Sequence, residues 1–350
     1  MKNIKKSVTE LDEYIVSQDT SVVKLNQNES SYDIPTSLKK KILSKLAASK
    51  WNRYPSGRPV PLINAISKYV GYPADGIVAG NGSNEIIQII LSATCQPKDK
   101  IVLVSPGYPI YPRLARIMGL KIVDVPLRED FSFDIPAIIE KSKGARLVAF
   151  PSPNSPTGTV LSIEEIKNIA NNIEGILIVD EAYCEFHKKT AVGLLKTIDN
   201  IIITRTFSKA FGMAGLRLGY LIARPEMAKE IGKVKLPFSV GIFQQIAGEA
   251  VAQNKKYIRD IADAVINERE KLVSELRKIP SVKPIPSFAN FILFEMEGRS
   301  SKDVFESLHK AGVLVRYFAT PRLENMLRVT VGTAKENGIF LQKLKIVLGQ

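Results

Sequence analysis

The sequence predicts an α/β protein: a large domain on a mostly parallel sheet flanked by helices, then a smaller α+β domain. Three observations carry that prediction. The chain has 350 residues, roughly two domains at about 150 residues each. Its middle alternates short, wholly apolar runs with segments of helical period, the rhythm of strand and crossover helix. After about residue 235 that rhythm gives way to long helix and then to isolated strands.

In chain order, residues 1–50 carry no strand rhythm and are expected to pack on the small domain or reach a partner subunit. Lys39-Lys40-Lys41 runs among Leu38, Ile42, Leu43 and Leu46 at helical spacing, the wet face of an amphipathic helix. Residues 51–240 make the large domain. Its runs Ile101–Val104, Leu147–Phe150, Ile176–Val179 and Ile201–Ile203 are apolar at every position, not at alternate ones. Strands buried on both faces have that pattern. Stretches such as Ser162 to Asn172 supply the crossover helices, with Ser162 as an N-cap. Leu218–Ile222 adds a further strand. Residues 241–350 make the small domain. Gln244–Lys278 reads as a long, broken helix, Asn290–Glu295 as a strand and Ser301–Lys310 as a helix. Strands near Val313–Arg316 and Met326–Val331 precede a last helix from Ala334.

Composition narrows the function. With 45% hydrophobic and 24% charged residues, the chain is neither disordered, collagenous nor a coiled coil as a whole. The net charge of +14 is the sole support for a nucleic-acid-binding protein, and no basic stripe with interleaved aromatics accompanies it. Two cysteines, Cys95 and Cys184, cannot make a disulfide framework, so a reducing compartment is expected. The polar start Met1–Lys6 has no secretory pattern. The longest near-apolar stretch, Ile86–Cys95, is far shorter than the ~20 residues of a membrane span. A cytoplasmic protein without membrane or nucleic-acid partners is the expectation. His187 and His309 have no second ligand at metal spacing, so no His-based metal site is expected.

Ligands of open α/β sheets bind beyond the carboxyl ends of the strands. After Val104 comes Ser105-Pro106-Gly107-Tyr108-Pro109, and after Phe150 comes Pro151 to Gly158 with Asn154. After Val179 comes Asp180-Glu181-Ala182-Tyr183, and after Ile203 comes Thr204-Arg205-Thr206-Phe207-Ser208-Lys209. Each alone is a routine loop; four meeting at one edge make a polar pocket on a rigid base. Gly80-Asn81-Gly82-Ser83-Asn84-Glu85 opens an apolar helical run. It offers free N–H groups to a phosphate, although read alone it is equally a plain helix start. Lys209 in such a pocket would lose solvation and gain a reactive amine; read alone, it is also a lysine at a helix start whose head reaches water.

Taken together, Asn154-x-Pro156-x-Gly158, Asp180-x-x-Tyr183, Ser208-Lys209 and Arg217 resemble the fold-type-I pyridoxal-phosphate aminotransferases. The resemblance runs from about residue 10 to the C-terminus. The motifs look most like the histidinol-phosphate branch of that family: Leu25-Asn26-x-Asn28-Glu29, Arg53-Tyr54-Pro55, Asp180 to Phe186, Arg205 to Phe211 and Leu327 to Thr333. The resemblance implies an aspartate-aminotransferase-like fold and pyridoxal phosphate as cofactor. By it, Lys209 bonds to the cofactor and later carries a proton, and Asp180 faces the pyridine nitrogen. Asn154 and Tyr183 hydrogen-bond the ring oxygen, and Tyr108 stacks on the ring. The phosphate sits on the backbone of Ser83 and Asn84 with Thr206, Ser208 and Arg217. Tyr54 reaches it from the partner subunit of a homodimer with shared sites.

Arg316, Arg328 and Tyr14 resemble the substrate-binding residues, although Glu13 stands where the family usually has proline before this tyrosine. The implied reaction interconverts histidinol phosphate plus 2-oxoglutarate and imidazole-acetol phosphate plus glutamate, in histidine biosynthesis. Alternatives on the same fold are an aromatic aminotransferase and a threonine-phosphate decarboxylase. The decarboxylase relatives carry an N-terminal His-Gly-Gly pattern, and this chain has no histidine before His187. Trp51 reads as packing near the Tyr54 loop, and Cys184 as a small buried hydrophobe.

Overall fold

Seven strands form the central sheet of the computed structural model, which describes residues 3–13, 19 and 23–350. In chain order the strands of the molecule are β1 (Val23–Lys24), β2 (Ile77–Gly80), β3 (Lys100–Ser105), β4 (Lys121–Pro126), β5 (Leu147–Pro151), β6 (Ile176–Asp180), β7 (Ile201–Thr206), β8 (Gly219–Ile222), β9 (Val282–Pro284), β10 (Phe291–Met296), β11 (Val313–Leu314), β12 (Arg316–Tyr317) and β13 (Met326–Thr330). The large sheet has the order β2-β8-β7-β6-β5-β3-β4. β4, β3, β5, β6 and β7 run parallel, and β8 lies antiparallel between β7 and β2.

The continuous apolar runs are strands covered on both faces. Val102, Val148, Phe150, Leu177, Val179, Ile201 and Ile203 pack into one buried cluster. Their neighbours Ile101, Leu103, Leu147, Ala149, Ile178 and Ile202 pack into another. Alternate side chains of a strand point to opposite faces, so a sheet with helices on both sides needs apolar residues at every position. The capping rules hold locally. Ser162 accepts from the Glu165 N–H while Glu165 accepts from the Ser162 N–H, a capping box that starts the helix Ile163–Asn171.

The winding positions the site. From β3 the chain steps outward to β4, then returns to β5 and proceeds through β6 and β7 in the other direction. The crevice where the order reverses, between β3 and β5, lies at the carboxyl ends of these strands, the binding position of doubly wound sheets.

The smaller sheet, β12-β13-β10-β9, is antiparallel throughout. The long helical stretch is indeed broken, into Ile242–Ala252 and Lys255–Arg277. The helix Ser301–Lys310 and the last helix, Ala334–Leu348, stand where their patterns predict them. The N-terminal region contributes β1, which pairs in parallel with β11, so it is not wholly without strand. The basic run lies on the helix Thr36–Ala47, which buries Leu38 and Ile42 but leaves Leu43 exposed.

Candidate active site

A cavity of about 480 Å³ opens at the strand-end crevice. Gly107, Tyr108 and Pro109 reach it from the end of β3, and Pro151, Ser155 and Pro156 from β5. Asp180 and Tyr183 reach it from β6; Thr206, Ser208 and Lys209 from β7. The helix Gly82–Thr94, which follows β2, adds Ser83 and Asn84, and Arg217 arrives just before β8. The small sheet closes the cavity with Arg316 and Arg328, on β12 and β13, which are paired with each other.

One end of the cavity is built for an anion. The first-turn N–H groups of Ser83 and Asn84 have no acceptor within their own helix, and the helix dipole adds positive charge there. Arg217 Nη1 donates to Ser208 Oγ at 3.1 Å, and Thr206 Oγ1 to the same oxygen at 3.0 Å. Glycine is required at two points of this cradle. A Cβ on Gly82, whose φ is +80°, would meet Arg217 Nη2 at 2.7 Å, and one on Gly219 would meet Ser83 N at 2.4 Å. Either side chain would fill the space between the Ser83 and Asn84 N–H groups and Arg217.

Asp180 lies in the wall at 2% exposure. Its Oδ1 accepts from Ala182 N–H at 3.1 Å and its Oδ2 from Tyr111 O–H at 3.2 Å. Burial pushes its pKa up to about 6, against the hydrogen bonds from Ala182 and Tyr111. Such a carboxylate gains from a cation placed opposite it. Lys209 is half-buried, and its Nζ donates to the Gln27 carbonyl at 3.0 Å. Burial holds its pKa below the ordinary lysine value. Its Nζ lies 5.7 Å from the Tyr183 ring centroid. Tyr108 donates to Asn84 Oδ1 at 2.9 Å, which ties the β3 loop to the helix start.

Arg328 is the most constrained of the cavity's cations. Its guanidinium sits 5.2 Å from the Phe291 ring and 5.6 Å from the Phe318 ring. Nη1 donates to Ser155 Oγ at 3.2 Å and Nη2 to the Asn26 carbonyl at 2.9 Å. Arg316 lies over the same Phe318 ring, at 5.7 Å. Two planar forks therefore sit at the small-sheet side of the cavity, suited to carboxylate or phosphate.

Behind the site is a buried ion pair. Arg205 Nη2 donates to Glu181 Oε2 at 2.7 Å, with side-chain exposures of 7% and 3%. Thr190 Oγ1 donates to the same carboxylate at 2.8 Å, and Glu185 lies 4.0 Å from Arg205.

Two residues expected in the site, Asn154 and Tyr54, stand differently, and so does Trp51, expected to pack near the Tyr54 loop. Asn154 is fully buried but does not line the cavity; its Nδ2 donates to Pro106 O at 3.0 Å and Thr157 Oγ1 at 2.9 Å. Its Oδ1 is buried with no hydrogen-bond partner among the described residues. Tyr54 lies away from its own chain's cavity, 82% exposed and stacked on Phe238 at 4.7 Å. Trp51 does not pack as expected: it is 72% exposed, with its indole N–H donating to Leu46 O. Tyr14 lies outside the described residues.

Sequence reasoning passed over Tyr111 and gave no role to Asn26 and Asn28, although both stand in the Leu25–Glu29 motif that carries the resemblance. Tyr111 sits three residues beyond Tyr108, a helical spacing that could have flagged it. The Asn26–Glu29 segment lines the cavity but follows no apolar strand run, so the strand-end search did not reach it.

The anion end, the buried carboxylate and the half-buried lysine of one cavity fit pyridoxal phosphate, a planar ring with a phosphate at one end and a basic nitrogen. The family described as "Aminotransferase class I and II" matches residues 20–344. A histidinol-phosphate aminotransferase of Chlorobaculum tepidum is 37% identical over 327 residues, 92% of this chain and 93% of that protein. One from Clostridium kluyveri is 35% identical over 349 residues, 99% of each chain. Among solved structures, the histidinol-phosphate aminotransferase of Clostridium acetobutylicum superposes with a TM-score of 0.86 at 27% identity, covering 93% of this chain and 99% of that one. The Sinorhizobium meliloti histidinol-phosphate aminotransferase in complex with pyridoxal-5'-phosphate gives 0.90 at 21% identity, with coverage of 100% and 98%, and at that identity supports the fold.

Proposed function

The chain belongs to the class I and II aminotransferase family, and from that premise we propose that it moves an amino group between histidinol phosphate and 2-oxoglutarate, with pyridoxal phosphate as cofactor. The observation that carries this reading is the pair of anion sites in one cavity, Ser83–Asn84–Ser208–Arg217 and Arg316–Arg328, with Lys209 and Asp180 in its wall. One serves the cofactor phosphate. The other takes the phosphate of histidinol phosphate in one half-reaction and a carboxylate of glutamate in the other.

When bound, pyridoxal phosphate supplies an aldehyde for the amine and a ring that withdraws electrons from the reacting carbon. The protein does the rest. Arg217, Ser208, Thr206 and the Ser83 and Asn84 N–H groups hold the phosphate. Asp180 holds a proton on the ring nitrogen. Lys209 Nζ, its amine freed by burial, takes the proton from the substrate carbon and returns it. The Tyr183 O–H hydrogen-bonds the ring oxygen, Tyr108 fixes the ring plane, and Asn154, with both its amide hydrogens given to Pro106 and Thr157, braces the β5 loop behind the cavity. Arg316 and Arg328, with Tyr14, orient the substrate anion.

The working unit in this reading is a homodimer. Tyr54 and its stacking partner Phe238 are exposed, and so are Trp51 and Leu236, their near neighbours in sequence. A second copy would cover this face and take Tyr54 to its own cofactor phosphate, normally about a two-fold axis. Among the described residues no helix is long and apolar enough to cross a membrane. Cys95 and Cys184 are both free and buried, which supports a reducing, cytoplasmic setting.

The test is a single-turnover amine challenge of the cofactor-loaded protein, read by its visible absorbance. Histidinol phosphate should discharge the band fast and 2-oxoglutarate restore it, with phenylalanine slow and phosphothreonine inert. Equal speed with phenylalanine would move the activity to an aromatic aminotransferase. Discharge by phosphothreonine alone, with carbon dioxide release, would make it a decarboxylase.

A further inference from the structure

The short segment Leu25–Glu29 joins both sheets and touches three groups of the site. Gln27 O accepts from Lys209 Nζ at 3.0 Å, and Asn26 O accepts from Arg328 Nη2 at 2.9 Å. Asn28 Nδ2 donates to the Tyr183 hydroxyl at 3.0 Å. None of the chemistry proposed above employs Asn28.

Asn28 is held with unusual care. Its φ is +55°, a left-handed conformation that asparagine and glycine adopt more readily than other residues. Its N–H donates to Thr330 Oγ1 on β13 at 2.9 Å, and its carbonyl accepts from Asn290 Nδ2 at 3.1 Å, one residue before β10. It is 2% exposed. The Thr330 hydroxyl, already accepting from the Asn28 N–H, donates toward Asn28 Oδ1 at 3.4 Å. That fixes the amide with its carbonyl toward Thr330 and its NH₂ toward Tyr183.

A phenol has one hydrogen to donate and lone pairs to accept. With Asn28 occupying a lone pair of the Tyr183 oxygen, the phenol hydrogen is left for an acceptor elsewhere, and Tyr183 lines the cavity. Donation into a hydroxyl oxygen also strengthens that hydroxyl as a donor. We propose that Asn28 is a positioning residue that presents the Tyr183 hydroxyl to the cavity as a hydrogen-bond donor. The proposal rests on the cofactor reading above, in which that donor meets the ring oxygen. It also makes the four-stranded sheet, through Thr330 and Asn290, part of the machinery that sets the cofactor's electronics.

The readout is the pH midpoint of the holoenzyme's visible band, because a donor at the ring oxygen favours the deprotonated chromophore. Asn28→Gly keeps the left-handed backbone and removes the side chain. It should raise the midpoint by about half to one pH unit, the scale of one neutral hydrogen bond. Asn28→Asp keeps the shape, replaces the donor with an acceptor and should raise it at least as much. Asn28→Gly, which adds no charge, should not move the midpoint further in a Tyr183→Phe background. An unchanged midpoint in a folded, cofactor-loaded Asn28→Gly or Asn28→Asp protein would overturn the proposal. So would the same shift persisting without the Tyr183 hydroxyl, which would mark a merely structural role. Absence of any lysine-dependent band in the parent protein is a different result. It would remove the cofactor reading, and with it the basis of the proposal.

Discussion

Asp180 is buried in the wall of a cavity that contains Lys209 and three arginines. In the cofactor-free protein its ionisation is costly. A rise from 3.8 to about 6 corresponds to about 3 kcal/mol at 1.36 kcal/mol per pK unit. The folded chain then binds more protons than the unfolded chain between about pH 4 and pH 6, so stability falls as pH rises through that window. Asp180→Asn removes the ionisation. Urea unfolding without cofactor should find the variant up to about 3 kcal/mol more stable than the parent near pH 8, and equal to it near pH 4. The same variant should lose about a thousandfold in transamination, because a carboxylate about 4 Å from a ring cation contributes about 4 kcal/mol at an effective dielectric of about 20. Equal stability of parent and variant near pH 8 would contradict the burial argument.

Asp180 ends β6 and Tyr183 lies in the turn that follows, and Glu181 between them anchors this element to Arg205 on β7. Neither charge reaches water. Removing one partner of a buried pair leaves the other uncompensated, at a cost of several kcal/mol. Glu185 at 4.0 Å offsets part of this, so Glu181→Gln should destabilise the protein by about 3 kcal/mol in chemical unfolding. A loss below about 1 kcal/mol would mean that Glu185 alone balances Arg205. This pair also marks where sequence reading stopped. The central strands announce themselves because burial on both faces demands apolar residues throughout. The sheet's two edge strands do not. β4, Lys121-Ile122-Val123-Asp124-Val125, carries a charge on each face and buries only Val125, and β2, Ile77-Val78-Ala79-Gly80, ends in two small residues. The lysine and the aspartate were legible because each follows an apolar run. Asn28, Tyr111 and the Glu181–Arg205 pair depend on contacts across 24 to 155 residues of chain, which no local pattern encodes.

At the scale of the molecule, the cavity is assembled from both sheets and the N-terminal segment, and Tyr54 is the one expected phosphate ligand pointing elsewhere. In the dimer proposed above, mixing a Tyr54→Phe chain with a Lys209→Ala chain creates hybrids with one intact site. Cofactor affinity and activity should recover to a substantial fraction of the parent value in the mixture and in neither chain alone; no recovery would place Tyr54 and Lys209 in the same chain's site or outside it. The claim that joins all three scales is that Lys209, at the end of β7, carries the cofactor. Borohydride reduction of the loaded protein followed by peptide mapping tests it most directly. One phosphopyridoxyl group per chain, on Lys209 alone and absent from Lys209→Ala, is the expected result. A label on another lysine, or none on a protein reconstituted with pyridoxal phosphate, would contradict it.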